Sequence, residues 1–333
     1  MSKQAVVLVS CIALAGVVSA CGKKKDDTAA TTTSDLPKID FSFPSTALAL
    51  TGDGLPLTAV DGTNVLSNWA NRSNLAVKYV NAVLTALGGE NLQAKGSITF
   101  TNATGSKIAV TLGETSGTYS KTGTICVDGS PSLYIEWNAD STAVHAIRDF
   151  NVDAWAQNKT PFTVELTYAK SATGSTLAAN SYGTPWSVPT DVAADTVNGG
   201  NYLAESVVSA RPSDGSFTMK GVNAWETTAH TQTSTAAFTG DAYLTGQLAA
   251  DGSGNFVAWR RFNQVCASST FTDSSATSPG WCFAGTVAAA GTVTYALDTS
   301  TQWTSSTLAP IGVASSADLR LVTFPAAVVC PAS

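Results

Sequence analysis

Helical periodicity survives in only one stretch of this chain, and that scarcity limits the fold more than any other feature. Within residues 73–88, Leu75, Tyr79, Val80, Val83, Leu84 and Leu87 recur at three- and four-residue spacing, which sets them on one stripe of a helix. Asn71 or Ser73 can cap its start, and Gly88-Gly89 can end it. A parallel sheet needs a long crossover, usually a helix, between successive strands. With one helix available, antiparallel pairing must dominate.

From Lys95 onward the period changes to two. Phe162, Val164, Leu166 and Tyr168 fall on one face of an extended segment, and Thr163, Glu165 and Thr167 on the other. Leu133, Ile135 and Trp137 alternate in the same way, and Asn138-Ala139-Asp140-Ser141 turns the chain into residues 142–150, giving a hairpin. Comparable strand signals occupy residues 107–112, 123–127, 216–225, 241–248, 256–265, 292–297 and 318–324. Asp251-Gly252-Ser253-Gly254-Asn255 is a turn between two of them. Residues 169–200, with Pro185 and Pro189 around Trp186, read as a long excursion or a seam, with a boundary near Pro189. The expected fold is mainly β, of α+β type: antiparallel sheets in a sandwich or curved half-barrel, with the amphipathic helix packed on the sheet. Its parts are residues 39–190 and 191–333, or one continuous domain over 39–333.

The amino-terminal segment carries an address. Lys3 precedes an apolar run over residues 5–18, and the small residues Ser19 and Ala20 stand directly before Cys21, which is the order of a secretory signal. Val18-Ser19-Ala20-Cys21 resembles the lipobox of bacterial lipoproteins. That resemblance implies removal of residues 1–20 and acylation of Cys21, and several acyl chains attach a protein far more firmly than one. The apolar run falls short of the roughly 20 residues that span a bilayer as a helix, which disfavours an uncleaved anchor. Leu8-Val9-Ser10-Cys11 has a similar pattern but leaves too short an apolar region before it. Residues 21–38 read as a tether without apolar periodicity, and Lys23 to Lys25 would lie beside lipid headgroups or form a solvated charge run. In the proteobacterial class an Asp after the lipidated cysteine favours the inner membrane. Gly22 at that place implies the outer one.

Composition narrows the partners. Setting aside Lys3, Lys23, Lys24, Lys25, Asp26, Asp27 and Asp35 from the 18 basic and 24 acidic residues leaves a net charge near −7 from Leu36 onward. Such a balance argues against nucleic acid. The expected partners are membrane lipid at Cys21 and an envelope protein, glycan or apolar ligand. Without Cys11 and Cys21, four of the six cysteines remain, an even number in an exported chain. Cys266 and Cys282 flank one Ser/Thr-rich loop and are expected to pair, leaving Cys126 with Cys330. No Cys-x-x-Cys spacing is present and neither histidine is near a cysteine in sequence, so no metal and no cofactor are assigned.

Motifs for catalysis are missing: there is no Gly-x-Ser-x-Gly elbow, no Walker-type loop and no His-Glu-x-x-His helix. A hydrolase would need His145, which lies near Asp149, or His230, which sits among threonines, as its base. Asp149 with Asp153, or Asp191 with Asp195, could form a glycosidase pair, and nothing selects one. No catalytic residue is assigned. Of eight tryptophans, Trp137, Trp225 and Trp259 sit in strand patterns, whereas Trp186 and Trp281 lie in Pro/Gly/Ser-rich stretches and are the candidates for stacking a sugar. Residues 251–255 lack the later Glu of a calcium loop and read as a hairpin turn.

A helix followed by amphipathic antiparallel strands, over roughly residues 71–170, is similar to the periplasmic lipoprotein-carrier proteins. The likeness is one of element order and implies a sheet that shelters an acyl chain. The favoured expectation is a lipid-anchored, disulfide-stabilised, non-enzymatic envelope protein that binds a partner or ligand. Lipid carriage, carbohydrate binding and hydrolysis are its alternatives.

Overall fold

The structure, a computed structural model, describes residues 36–48, 51–53, 65–88, 96–102, 105–149, 162–183, 202–226, 242–260, 281–297 and 319–331. Fourteen strands and two helices are found among them, and all strand pairs except one are antiparallel. The fold is thus mainly antiparallel β with one long helix. The chain forms two compact units, one drawn from Met1–Asp40, Ala76–Ala169 and Thr323–Ser333, the other from Phe41–Leu75 and Lys170–Val322. Pro189, where the sequence suggests a boundary, lies outside the described residues.

The short helix α1 spans Ser45–Leu48 and the long helix α2 spans Val65–Leu87. Helix α2 therefore starts eight residues before the expected 73, and Asn71 and Ser73 lie inside it rather than at its cap. Leu66, Trp69, Ala70 and Ser73 are buried and continue the stripe of Ala76, Val77, Val80, Val83, Leu84 and Leu87. Burial of that extended stripe overrides the weak helix propensity of its Asn and Ser residues. The end falls as expected: the Gly88 amide donates to the Leu84 carbonyl at 2.9 Å.

In the first unit, β2 (Gly96–Thr101), β3 (Lys107–Glu114), β4 (Lys121–Val127), β5 (Ser130–Trp137), β6 (Ala143–Asp149) and β7 (Phe162–Ser171) pair each with the next. Asp128-Gly129 links β4 to β5 with φ of 49° and 81°, the two positive values that a tight primed turn requires. At the next turn, Asn138 Oδ1 accepts the Ala143 amide at 2.8 Å and Asp140 Oδ1 accepts the Thr142 amide at 3.1 Å, which sets the register of β5 on β6. Leu133, Ile135 and Trp137 then share a buried face with Val144, Ala146, Val164, Leu166 and Tyr168. Residues 36–40 form no strand, yet Pro37 and Ile39 are buried in alternation with exposed Lys38 and Asp40. Asn81 of α2 ties this strap twice, accepting the Ile39 amide at 3.0 Å and donating to its carbonyl at 2.8 Å, while the Tyr168 hydroxyl donates to the Asp40 carbonyl at 3.2 Å.

In the second unit, β8 (Gly174–Gly183), β9 (Tyr202–Pro212), β10 (Phe217–Glu226), β11 (Ala242–Leu248), β12 (Gly254–Arg260), β13 (Trp281–Val287) and β14 (Thr292–Leu297) follow in order, and β1 (Thr51–Asp53) joins β14 in parallel. Helix α2 crosses three of these strands in steps of three residues. Leu66 covers Gly246 of β11, Trp69 covers Gly221 of β10, and Arg72 reaches Glu205 of β9. The two glycines are what let the helix approach: a Cβ on Gly221 would lie 2.6 Å from Trp69 Cε3, and one on Gly246 would lie 2.8 Å from Leu66 Cδ1. The Phe43 ring meets Phe217 edge-on at 5.9 Å and adds to the same core.

One expected strand does not form. Leu319 and Val322 are buried three residues apart, a spacing incompatible with one face of a strand, and described residues 319–324 take an irregular course. Conversely, β8 occupies part of the segment read as an excursion. Its buried positions, Leu177, Ala179 and Ser181, are mostly too small to announce a strand.

Candidate functional site

The polar face of β5, β6 and β7 brings one histidine between two carboxylates. Glu136 stands directly opposite His145 in the β5–β6 register, and Glu165 opposite its neighbour Ile147 in the β6–β7 register, so both glutamates share the histidine's face. His145 Nδ1 lies 3.1 Å from Glu136 Oε2 and Nε2 lies 2.9 Å from Glu165 Oε1. Tyr119 stacks on the imidazole with ring centroids 6.1 Å apart and planes 24° from parallel. The side chains are partly enclosed, His145 and Glu136 at 17% and 21% exposure and Glu165 at 9%.

Electrostatics follow from that geometry. Burial by itself would depress the imidazolium pKa, but the hydrogen bonds and charges of Glu165 and Glu136 together outweigh it and hold His145 above its ordinary value. Burial pushes the Tyr119 hydroxyl up, and the charges of Glu136 and Glu165 push it further. Tyr134 is raised likewise, by burial first, against a lowering hydrogen bond from Thr122. A histidine charged and engaged at both nitrogens has no lone pair with which to take a proton. In its protonated form His145 is thus held between two carboxylates, one at each ring nitrogen.

The other sequence candidates are dispersed. Asp149 closes β6, while Asp153, Asp191, Asp195, His230 and Trp186 lie outside the described residues. Trp281 is the first residue of β13, opposite Arg260, rather than part of a loop. Trp69 and Trp137 are core residues at 4% and 3% exposure. Cys126 of β4 is bonded to Cys330, with Cα atoms 5.8 Å apart, so a disulfide fastens the carboxy-terminal segment to the first unit. Cys282 lies on β13 opposite Trp259, and Cys266 and Cys21 are outside the described residues. In the β11–β12 turn, Asp251 Oδ1 accepts the amide and hydroxyl of Ser253 at 2.9 and 2.7 Å, the arrangement of a side-chain-closed hairpin turn.

The sequence pattern does not single out Glu136 or Glu165, although Glu136 is the one charge of β5 and Glu165 the one acidic residue of β7. Among the described residues no group of three or more His, Cys, Asp or Glu is placed to hold a metal ion, and no helix is long and apolar enough to cross a membrane. The architecture defines a mainly antiparallel β protein with a partly enclosed Glu–His–Glu site. Compared with known proteins, the chain matches no family model, no curated protein and no solved structure.

Proposed function

We propose that this chain is an envelope lipoprotein, acylated at Cys21, whose β units bind a partner or ligand without catalysing a reaction. Val18-Ser19-Ala20-Cys21, placed at the end of the apolar run, is the observation that carries the reading. Gly22 directs it to the outer membrane, and Cys266 pairs with Cys282 in the oxidising compartment this address implies. The buried strap offers further support, because it gives the chain a fixed point close to the acylation site. Residues 22–35 separate Cys21 from Leu36 and, fully extended, reach at most about 50 Å. Leu36, where the strap begins, thus stays within that distance of the membrane. The engagement of both His145 nitrogens favours binding over hydrolysis.

Fractionation of cells producing the wild type and Cys21→Ser, with fatty-acid labelling, tests the proposal. The wild type should sediment with membranes and carry label, and the variant should be soluble and unlabelled. Identical fractionation and labelling of the two would contradict it. Mass spectrometry of small molecules retained on gentle purification identifies the ligand class, an acyl lipid pointing to carriage and a glycan to carbohydrate binding.

A further inference from the structure

A histidine with a carboxylate at each ring nitrogen has one protonation state that satisfies both contacts. As the imidazolium, His145 donates from Nδ1 to Glu136 Oε2 and from Nε2 to Glu165 Oε1. As the neutral ring it keeps a single N–H, and its other nitrogen turns a lone pair toward a carboxylate oxygen. One of the two contacts must then change from attraction to repulsion. We propose that Glu136–His145–Glu165 is a pH-operated fastening across β5, β6 and β7, closed while the imidazole carries its second proton and open at one end once that proton leaves.

The surroundings favour this reading over a plain surface ion pair. Tyr119 covers one face of the ring, and Glu165 is nine-tenths withdrawn from solvent, so water replaces a lost hydrogen bond poorly there. Among the described residues, the titratable groups on this face are Tyr119 before β4, Tyr134 and Glu136 on β5, Asp149 at the end of β6, and Glu165 on β7. Thr167 stands opposite His145 in register, and on β6 itself the ring is flanked on its face by Ala143 and Ile147, neither of them charged. Lys121 of β4 pairs with Trp137 and so belongs, by register, to the opposite face. Glu136 and Glu165 are the carboxylates that touch the ring, and losing the imidazolium removes the positive charge that lies between them.

The direction follows from linkage. A ring whose folded pKa exceeds its unfolded one contributes fully at pH below the ordinary value of 6.5, and that contribution is lost as the pH rises through the folded value. The fastening therefore opens from neutral pH toward the alkaline side. Its chemistry does not depend on the membrane anchor.

Ring NMR of the protein as isolated tests this directly, because the chain has only two histidines and His145→Asn assigns the signals. At pH 6 both His145 nitrogens should be protonated, and its midpoint should lie above 6.5. Glu136→Gln and Glu165→Gln should each move that midpoint down. Amide protection factors in β5, β6 and β7, corrected for intrinsic exchange, should fall through the same midpoint while those of β9 to β12 hold. A midpoint at or below 6.5, a midpoint unmoved by both substitutions, or unchanged protection across it would overturn the proposal. The wild-type titration and the more exposed Glu136 variant keep the test decisive even where Glu165→Gln folds poorly.

Discussion

Arg72 grips both oxygens of Glu205, donating from Nε to Oε1 at 3.2 Å and from Nη2 to Oε2 at 2.6 Å. The two residues are 133 positions apart, and their side chains are 9% and 4% exposed. The pair fixes helix α2 over β9 at the third step of its crossing, beyond the Leu66–Gly246 and Trp69–Gly221 contacts. Desolvating two charges costs nearly what their attraction returns, so the pair adds little net stability, but losing one partner strands the other. Arg72→Met should therefore destabilise the protein by about 3–5 kcal/mol in urea melts, and Arg72→Met with Glu205→Leu should recover most of that loss. Additive losses in the double variant would show that the apolar pair cannot occupy the space.

The Trp69–Gly221 approach predicts damage from opposite changes. Gly221→Ala forces a methyl group into the indole and should cost about 1–3 kcal/mol by overpacking. Trp69→Ala removes the indole and should cost about 3–5 kcal/mol through the cavity it leaves. Combined, the two should cost less than their sum, because each relieves the other's defect. Strict additivity in denaturant melts would contradict the contact.

Helix α2 offers a contrast between neighbouring faces. Leu84 is 4% exposed whereas Lys78 is exposed. Leu84→Ala should cost about 2–5 kcal/mol, and Lys78→Ala should stay within about 0.5 kcal/mol. Small, equal effects would mean that the stripe is not the core face.

The disulfide predicts both a peptide and an energy. Non-reducing digestion should yield a Cys126–Cys330 linked peptide, and Cys126→Ser with Cys330→Ser should lower stability by about 2–5 kcal/mol. Free thiols at both positions in the denatured, unreduced protein would contradict the link. A Cys266–Cys282 peptide in the same digest is expected from the proposed pairing.

Legibility followed side-chain size. Leu133, Ile135 and Trp137 against Val164, Leu166 and Tyr168 announce their strands because large apolar residues alternate with polar ones. Strand β8 stayed hidden because Ala179 and Ser181 fill buried positions without a hydrophobic signal. Helix α2 begins before the expected start because Asn71 and Ser73 read locally as caps, and only the contacts of Leu66, Trp69 and Arg72 with distant strands explain why they are helical. At the site, the turn at residues 138–142 could have placed Glu136 opposite His145. Glu165 could not be placed, because the register of β7 on β6 is set across residues 150–161, whose length carries no turn rule.

Cys21 decides the central claim. The amino-terminal peptide of the protein extracted from membranes of an exporting, acylating bacterial host should be analysed by mass spectrometry. The peptide should begin at Cys21 and carry acyl chains on the thiol-linked glycerol and on the amino group. An unmodified Cys21 still joined to Ser19-Ala20 in the mature protein would contradict it.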